Sequence, residues 1–258
     1  MIVFNDVSKS YGKKHALSHV SFRIEPGEFV CITGPGGAGK STLLHLLIRL
    51  VDPTSGAIEV DGADLRRLPL PVLQLYRRRT GILFQDERLL QDRTVRENVA
   101  LSPEATDATD EVIGKQVTAM LKRLGIGQIA DAFPSELSGG EKRRTALARA
   151  LVHKPSIVLV DEPTGNLDAD QSGEILRLLR EVNEEGATVI LASQNRHVVD
   201  SLGVRMIRLE DGKVVTDAAG GHMQERTEEP EKRIREHEDV ETANKHQSGG
   251  HVKPIGVQ

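Results

Sequence analysis

The chain has 258 residues, of which 38% are hydrophobic and 28% are charged, and its formal net charge at pH 7 is −4. This length and hydrophobic content allow one or two folded domains with a sizeable core. The small net charge does not favour nucleic acid as the main partner. The single cysteine, Cys31, excludes a disulfide framework and fits a reducing compartment.

The sequence also bears on the relation of the chain to a membrane. Its apolar runs are all shorter than the roughly 18 residues that a membrane-spanning helix requires. The first residues, MIVFNDVSKSYG, indicate a strand instead of a signal peptide. We therefore expect a soluble chain that reaches a membrane only through a partner.

Three regions follow one another along the chain. Residues 1 to about 86 are predicted to form short strands around a single helix. Residues 87–156 have mostly helical patterns, with clear helices at 108–124 and 141–152. From 156 to 215 strands and helices alternate again, which is typical of a sheet covered by helices.

The segment GPGGAGKS at residues 34–41 lies between an apolar strand-like run, 29–32, and a helix-like run, 42–50. It matches the eight-residue P-loop pattern, in which successive backbone N–H groups and the positive end of the next helix point at a phosphate. Lys40 is expected to reach the β- and γ-phosphates of a nucleotide, and the Ser41 hydroxyl to bind Mg²⁺. The candidate nucleotide-binding residues in this segment are Gly34, Pro35, Gly36, Gly37, Ala38, Gly39, Lys40, Ser41 and Thr42.

A second pattern, LSGGE, stands about a hundred residues later at 137–141. Ser138 and Glu141 form a capping box, in which the serine caps the next helix and the glutamate reaches back to the serine. The bare glycines Gly139 and Gly140 leave the start of that helix open to an anion. Taken alone, this pattern favours an ordinary helix start.

Two acidic residues end a predicted strand in the last region. A run of four β-prone residues, Ile157 to Val160, leads directly into Asp161 and Glu162. Such a run is typical of a strand buried in a parallel sheet. Open α/β sheets bind their ligands at the carboxyl ends of their strands, so both carboxylates are expected at a ligand site.

The residues from 217 to 258 differ in composition from the rest. They include nine acidic and six basic residues and four of the nine histidines, with little apolar periodicity. Such a segment cannot bury enough surface to offset the entropy of ordering it, so we expect a disordered tail with a short charged helix near 225–240. A histidine-rich metal site is the alternative, but the histidine spacings match no metal motif.

Taken together, the P-loop, the LSGGE pattern and the acidic strand end resemble the ATP-binding cassette (ABC) ATPases. The resemblance implies a P-loop α/β fold: a RecA-like core with an antiparallel β subdomain and an inserted helical lobe at about 87–156, in one domain of residues 1–216. It also implies that the chain hydrolyses ATP to ADP and phosphate. In that family the LSGGE signature of one subunit covers the ATP held by the P-loop of another, so the resemblance implies a homodimer on ATP binding.

The resemblance assigns roles to further residues. Tyr11, in a predicted loop after the first strand, matches the aromatic residue that stacks on adenine. Gln85 matches the Q-loop glutamine, which touches Mg²⁺ and relays to a membrane partner. Asp161 resembles the aspartate that holds Mg²⁺, and Glu162 the carboxylate that polarises the attacking water. The residues expected to complete the site from the signature and the D-loop are Ser138, Gly139, Gly140, Glu141 and Asp168.

One position departs from the family pattern. After the last core strand, predicted at 187–192, Gln194 stands where the family usually has a histidine that contacts the γ-phosphate. An amide can donate a hydrogen bond to a phosphate oxygen, but it cannot carry a proton or a positive charge. His197, three residues on, is expected at the surface. Two hypotheses stay open: a working ATPase motor, and an ATP-dependent dimerisation module that hydrolyses slowly.

The stretch LLQDRTVRENVA at 89–100 separates branches of the family. It resembles the cell-division branch more than the lipoprotein-release and efflux branches. The division branch implies a polytopic membrane partner, a place on the cytoplasmic face of the cell membrane and a link to the division ring. Leu89, Leu90 and Val95 are expected to form a groove that receives a cytoplasmic helix of that partner.

Overall fold

The computed structural model describes residues 1–106, 108–165, 168–195 and 202–219. All of them belong to one compact unit, Met1–Gln224. The predicted tail lies outside the described residues, apart from its first three. There the last strand continues to Ala218, two residues past the predicted domain boundary, and Arg205 pairs with Asp217 at 2.7 Å.

Ten strands and six α-helices lie within the described ranges. The strands are β1 (Ile2–Tyr11), β2 (Lys14–Ile24), β3 (Phe29–Thr33), β4 (Ser55–Val60), β5 (Ala63–Asp64), β6 (Thr80–Leu83), β7 (Ile157–Asp161), β8 (Thr188–Ser193), β9 (Arg205–Glu210) and β10 (Lys213–Ala218). The helices are α1 (Lys40–Leu47), α2 (Leu70–Arg78), α3 (Val95–Glu104), α4 (Asp110–Arg123), α5 (Gly139–Leu151) and α6 (Ala169–Glu184).

The larger sheet has six strands in the order β10-β9-β3-β8-β7-β6. Its strands run parallel except for β10, which pairs antiparallel with β9. Both faces are covered: Cys31 and Val160 pack into one hydrophobic cluster, while Ile32 and Leu159 pack into the other. This two-sided burial explains why the strands are almost continuously apolar, and it brings the carboxyl ends of β3, β7 and β8 to one edge.

The smaller sheet is antiparallel, in the order β2-β1-β4-β5. Phe4 and Phe22 stack on its inner face, with ring centroids 4.5 Å apart. Tyr11 is the last residue of β1 and pairs with Lys14, so its predicted position in a loop is wrong. The pairing continues up to the two-residue turn Gly12–Lys13, and the tyrosine therefore belongs to the strand.

A helical lobe links the two halves of the larger sheet. Helix α3 packs against α4 and α5, and the predicted helices at 108–124 and 141–152 correspond to α4 and α5. The sequence pattern does not predict α2, which falls in a region assigned to strands and turns. This helix is short and buries only Leu73 and Tyr76, so its apolar periodicity is weak.

The segment after Gln85 does not form the groove that we expected. Leu89 is 7% exposed and Val95 is fully buried, and both belong to the hydrophobic core. Leu90 alone of the three is exposed, at 43%. The core of the lobe needs these side chains because the segment crosses from the sheet to α3, so they are not available to a partner.

Asn98 on α3 holds this segment in place. Its side-chain oxygen accepts a hydrogen bond from the Leu90 N–H at 2.8 Å, and its amide donates to the carbonyls of Leu90, Arg93 and Thr94 at 3.0 Å each. The side chain is completely buried. It therefore satisfies backbone groups that the irregular segment would otherwise leave without partners.

Replacing Asn98 with alanine should lower the free energy of unfolding by about 1–3 kcal/mol, because several buried backbone groups lose their partner. Urea denaturation monitored by circular dichroism measures this change. The exposed Asn5 on β1 provides the control, and Asn5→Ala should change stability by less than about 0.5 kcal/mol. Equal stabilities of the two variants would contradict this role for Asn98.

Candidate nucleotide-binding site

Two glycines allow the P-loop to lie close to neighbouring strands. At Gly34 the backbone has φ 143°, and a Cβ there would lie 2.1 Å from the Leu209 carbonyl oxygen. At Gly39 φ is 106°, and a Cβ would lie 2.4 Å from the Ala16 carbonyl oxygen. Any larger residue at either position would both strain the backbone and push the loop away. The two glycines thus set the path of the loop between β3 and α1.

Lys40 lies at the centre of the loop. Its ammonium group donates hydrogen bonds to the carbonyl oxygens of Gly34, at 2.8 Å, and Pro35, at 3.1 Å. It also lies 3.7 Å from Oε1 of Glu162. The lysine is 7% exposed, so its charge is balanced by these oxygens and not by water.

Asp161 ends β7 beside the P-loop helix. The residue is buried, and its Oδ1 has no hydrogen-bond partner within the described part of the chain. Burial raises the pKa of this carboxyl, and Ser41, His45 and Lys40 offset the increase in part. A buried carboxylate with an unused oxygen beside a serine hydroxyl is chemically suited to a hard cation such as Mg²⁺.

Glu162 follows directly and is held by the end of β8. Its Oε1 accepts a hydrogen bond from the Gln194 backbone N–H at 2.9 Å, and its Oε2 accepts one from the Ser193 hydroxyl at 3.3 Å. Burial raises the pKa of Glu162, and the positive charge of Lys40 lowers it in part. The backbone at Glu162 has φ 46°, an unusual conformation for this residue, which turns the chain sharply after the strand.

Gln194 lies across from the P-loop. Its side-chain Oε1 would be 3.6 Å from a Cβ placed on Gly36, so the amide group is close to the phosphate loop. The residue is exposed, and its position can be reached by a ligand. His197 lies outside the described residues.

A shallow cavity of about 190 Å³ connects Tyr11 with the P-loop. Gly37, Gly39, Lys40, Ser41 and Thr42 line it, together with Lys14 and Ala16. Tyr11 is 45% exposed, and the Lys9 ammonium lies 5.0 Å from its ring centroid. An exposed aromatic ring on the wall of a phosphate-loop cavity is suited to stacking on a base.

Gln85 lies two residues past the end of β6, which pairs in parallel with β7. Its side chain is exposed, while the backbone around it is held by α5. Arg143 donates to the Phe84 carbonyl at 3.1 Å, and Arg149 donates to the carbonyls of Glu87, at 2.6 Å, and Arg88, at 2.8 Å. The helix that carries the LSGGE pattern therefore positions the Q-loop.

The LSGGE pattern lies at the surface of the helical lobe, separate from the cavity at the P-loop. Ser138 caps α5 and exchanges hydrogen bonds with Glu141, whose carboxylate accepts from the Ser138 N–H at 2.8 Å and hydroxyl at 2.7 Å. These bonds lower the pKa of Glu141. Gly139 is exposed and Gly140 half-buried at the start of the helix. The structure therefore contains the predicted capping box, with its anion-accepting end free of the chain's own P-loop.

Asp168 takes a similar capping position on α6. Its carboxylate accepts a hydrogen bond from the Gln171 N–H at 2.8 Å, and the residue is exposed. The predicted D-loop residues Asn166 and Leu167 lie outside the described part of the chain. The contacts of Asp168 are therefore those of a helix cap, and its role toward a nucleotide stays a prediction.

Several residues at the site were not predicted. Ser193 binds Glu162, Lys14 and Ala16 line the cavity, and Arg143 and Arg149 hold the Q-loop. Arginines at 143 and 149 on a helix are ordinary surface residues by pattern, and only the fold reveals their carbonyl partners. The serine directly after a buried strand was the one detectable signal, because polar residues at strand ends gather at the ligand edge.

Fold and site together define a class of protein: an α/β P-loop ATPase with an inserted helical lobe. The sequence profile of the family described as ABC transporter matches residues 17–165. The chain belongs to this family of ATP-binding cassettes, and it is an ATPase that binds ATP. The predicted fold class is confirmed, whereas the roles of individual residues stay predictions.

Named relatives and solved structures agree with this assignment. The cell division ATP-binding protein FtsE of Bacillus subtilis is 42% identical over 223 residues, which cover 86% of this chain and 97% of that protein. FtsE of Escherichia coli is 44% identical over 213 residues, which cover 82% and 96% of the two chains. The dimeric structure of MJ0796, a bacterial ABC transporter cassette, has a TM-score of 0.80 and 36% identity, with 85% of this chain and 98% of that chain covered. A dimeric post-hydrolysis state of MJ0796 bound to ADP and Pi has a TM-score of 0.79 and 35% identity, with the same shares covered.

Substituting Lys40 with alanine should weaken ATP binding by about ten- to a hundredfold or abolish turnover, because charge-assisted hydrogen bonds to phosphate are lost. Titration with a fluorescent ATP analogue and steady-state phosphate release measure the two effects. Lys115→Ala, at an exposed lysine on α4, is the control and should change neither quantity. Undiminished ATP affinity together with normal phosphate release in Lys40→Ala would refute the P-loop assignment.

Proposed function

We propose that this chain is the ATP-hydrolysing subunit of a bacterial cell-division complex, in the role that FtsE has with the membrane protein FtsX. The observation that carries the ATPase part is the Lys40–Glu162 pair, 3.7 Å apart at the ligand edge of the sheet. The division part is supported by relatives named FtsE at 42% and 44% identity. In this role the chain drives a polytopic, FtsX-like membrane partner, and through it the control of peptidoglycan hydrolysis.

The P-loop binds the phosphates of ATP in this proposal. The Gly36, Gly37 and Gly39 backbone and the Lys40 ammonium surround the β- and γ-phosphates, and Thr42 lies at the start of the helix beneath them. When phosphate binds, Lys40 exchanges its contacts with the Gly34 and Pro35 carbonyls for phosphate oxygens. The Tyr11 ring then stacks on adenine.

Ser41, Asp161 and Gln85 would hold Mg²⁺. The unpartnered Oδ1 of Asp161 and the adjacent Ser41 hydroxyl are oxygen ligands of the kind that this cation prefers. When bound, the metal supplies positive charge that bridges the β- and γ-phosphates. The cation also relieves the cost of burying Asp161, since it gives the unused oxygen a partner.

Glu162 would polarise the attacking water. The raised pKa of its carboxyl makes it a stronger base than an ordinary glutamate, because Brønsted efficiency rises as the pKa approaches the working pH. The Gln194 N–H and the Ser193 hydroxyl fix its orientation. The Gln194 side chain, near Gly36, contacts the γ-phosphate in place of a histidine.

A second copy of the chain completes the site. Ser138 and Gly139 are exposed at the N-terminus of α5, and Gly140 and Glu141 adjoin them, so this end of the helix is open to phosphate from outside the chain. In the proposed dimer it covers the ATP held by the partner's P-loop, with Asp168 close to the interface. The dimeric cassette structures at 35% and 36% identity support this arrangement.

The proposed place of the chain is the cytoplasmic face of the cell membrane, through its partner, with the division-ring protein FtsZ as a further contact. Within the described residues, the helices are too short or too polar to cross a membrane. A transport role of the LolD or MacB type is the alternative function. A slowly hydrolysing dimerisation module is the other, since Gln194 cannot donate a proton.

Replacing Glu162 with glutamine should trap an ATP-bound dimer, because the amide keeps the shape of the site but cannot polarise water. Light scattering at saturating Mg-ATP measures the mass. Adding Ser138→Arg should restore the monomer by placing a bulky cation where the partner's nucleotide binds, whereas Ser55→Arg, at an exposed serine of β4, should leave the dimer intact. A monomeric Glu162→Gln variant would count against the proposed dimer.

Gln194→His tests whether hydrolysis is limited at this position. Loss of one transition-state hydrogen-bond donor costs about 10²–10³ in rate, and here a weaker donor replaces a stronger one, so the deficit should be smaller. We expect ATP affinity to stay near normal and turnover to rise several-fold, whereas Asn195→His should leave turnover unchanged. If the parent already turns over at about 1 s⁻¹ or faster and Gln194→His adds nothing, the slow-hydrolysis hypothesis is wrong.

A further inference from the structure

Helix α2 forms one wall of an exposed groove of about 640 Å³. The groove lies between α2 and the β4–β5 hairpin, and its apolar lining is Ala63, Leu65, Leu68, Val72, Leu75 and Tyr76. Val72 is 43% exposed and Leu75 58% exposed. Large apolar side chains exposed side by side around a concavity are typical of a surface that another molecule covers.

The rim of this groove, which we call the α2 groove, is positively charged. Arg78 and Arg79 both line it, and Arg78 makes no ion pair within the described residues. Its one carboxylate, Asp61, already binds the Met1 amino group at 2.8 Å and lies 3.8 Å from Arg79. The groove therefore offers apolar contact along its floor and unbalanced positive charge at its edge.

The buried side of α2 is attached to the end of the P-loop helix. The Tyr76 hydroxyl donates a hydrogen bond to the Leu47 carbonyl at 2.7 Å. Arg77 donates to the carbonyls of Ile48, at 3.0 Å, and Arg49, at 2.9 Å. These acceptors are the carbonyls that the C-terminus of α1 leaves without partners inside the helix. A shift of α2 therefore acts directly on the helix whose first residue is Lys40.

We propose that the α2 groove receives an amphipathic cytoplasmic helix of the membrane partner, with an apolar face toward Val72 and Leu75 and an acidic residue toward Arg78. This proposal rests on the proposed function, because it requires a membrane partner. Docking there sends the partner's motion to the P-loop through Tyr76, Arg77 and the C-terminus of α1. The exposed Leu90 lies outside the lining of this groove and is not required for it.

The shape and charge of the α2 groove favour a helix over two other occupants. An anionic membrane surface would match the arginines, but it is flat on this scale and does not fill a concavity between a helix and a hairpin. A second copy of the chain, meeting the first through the same surface, would bring Arg78 against Arg78 and repel it. An amphipathic helix satisfies both the apolar floor and the basic rim.

Co-purification measures the proposal directly. The chain is co-expressed with the tagged FtsX-like membrane protein of the same organism, and the complex is isolated in mild detergent. Val72→Glu and Leu75→Glu should each reduce the recovered chain by at least about tenfold, because a carboxylate would be buried in an apolar contact. Arg78→Glu should reduce it less, since an edge charge contributes less than the floor.

Two controls separate docking from damage to the fold. Val112 on α4 has the same 43% exposure as Val72, and Val112→Glu should leave co-purification unchanged. The isolated α2 variants should keep the melting temperature and the basal ATPase rate of the parent. Sedimentation with partner-free vesicles of phosphatidylglycerol and phosphatidylcholine should be equally weak for the parent and for Leu75→Glu.

The outcomes distinguish the proposals from each other. If the parent and both α2 variants are retained alike by the membrane protein, the partner stands and the α2 groove is refuted. Should the parent hydrolyse ATP but not be retained, the partner assignment itself fails and the α2 proposal fails with it. Binding of the parent to the vesicles that Leu75→Glu abolishes would make the groove a lipid site and overturn the proposal.

Discussion

The structure depends on one arrangement of charge: a lysine and two carboxylates held nearly without water at the carboxyl ends of parallel strands. Lys40 is 7% exposed, and its charge is balanced by two carbonyl oxygens and by Glu162. Buried charges are costly unless they are paired and hydrogen-bonded. Asp161 is not fully paired, since one of its oxygens lacks a partner within the described residues. The fold thus keeps a group that lowers its own stability, and such a group is expected where a ligand is to bind.

The helical lobe and the core are joined through the Q-loop backbone. Arg143, which is 5% exposed, and Arg149 both extend from α5 to carbonyl oxygens between Phe84 and Arg88. A guanidinium group is suited to this task because it presents several donors in a fixed geometry. The capped start of α5 and the segment after β6 are therefore parts of one hydrogen-bonded body. Any movement that brings the LSGGE pattern of one subunit toward another must displace the Q-loop as well.

The sequence allowed prediction of the residues whose chemistry depends on local pattern, and it failed where chemistry depends on neighbours distant in the chain. Lys40, Ser138 and Asp161 could be placed because the P-loop, the capping box and the strand end are contiguous patterns. The bond from the Gln194 N–H to Glu162 could not, since every non-proline residue carries the same backbone donor. Leu89 and Val95 were assigned to the wrong surface because an irregular segment has no periodicity to separate core from exterior.

Helix α1 connects two ends that have opposite electrostatic character. Its N-terminus faces the phosphate loop, and its C-terminal carbonyls accept hydrogen bonds from Tyr76 and from the Arg77 cation. A cation at the C-terminus complements the helix dipole, just as an anion does at the N-terminus. If nucleotide at one end and a partner at the other both favour the same position of α1, the coupling must be reciprocal. ATP would then tighten the partner's binding by the same factor by which the partner tightens the binding of ATP. A helix of only eight residues can transmit such an effect because it is rigid over its length and is held at both ends by directional bonds.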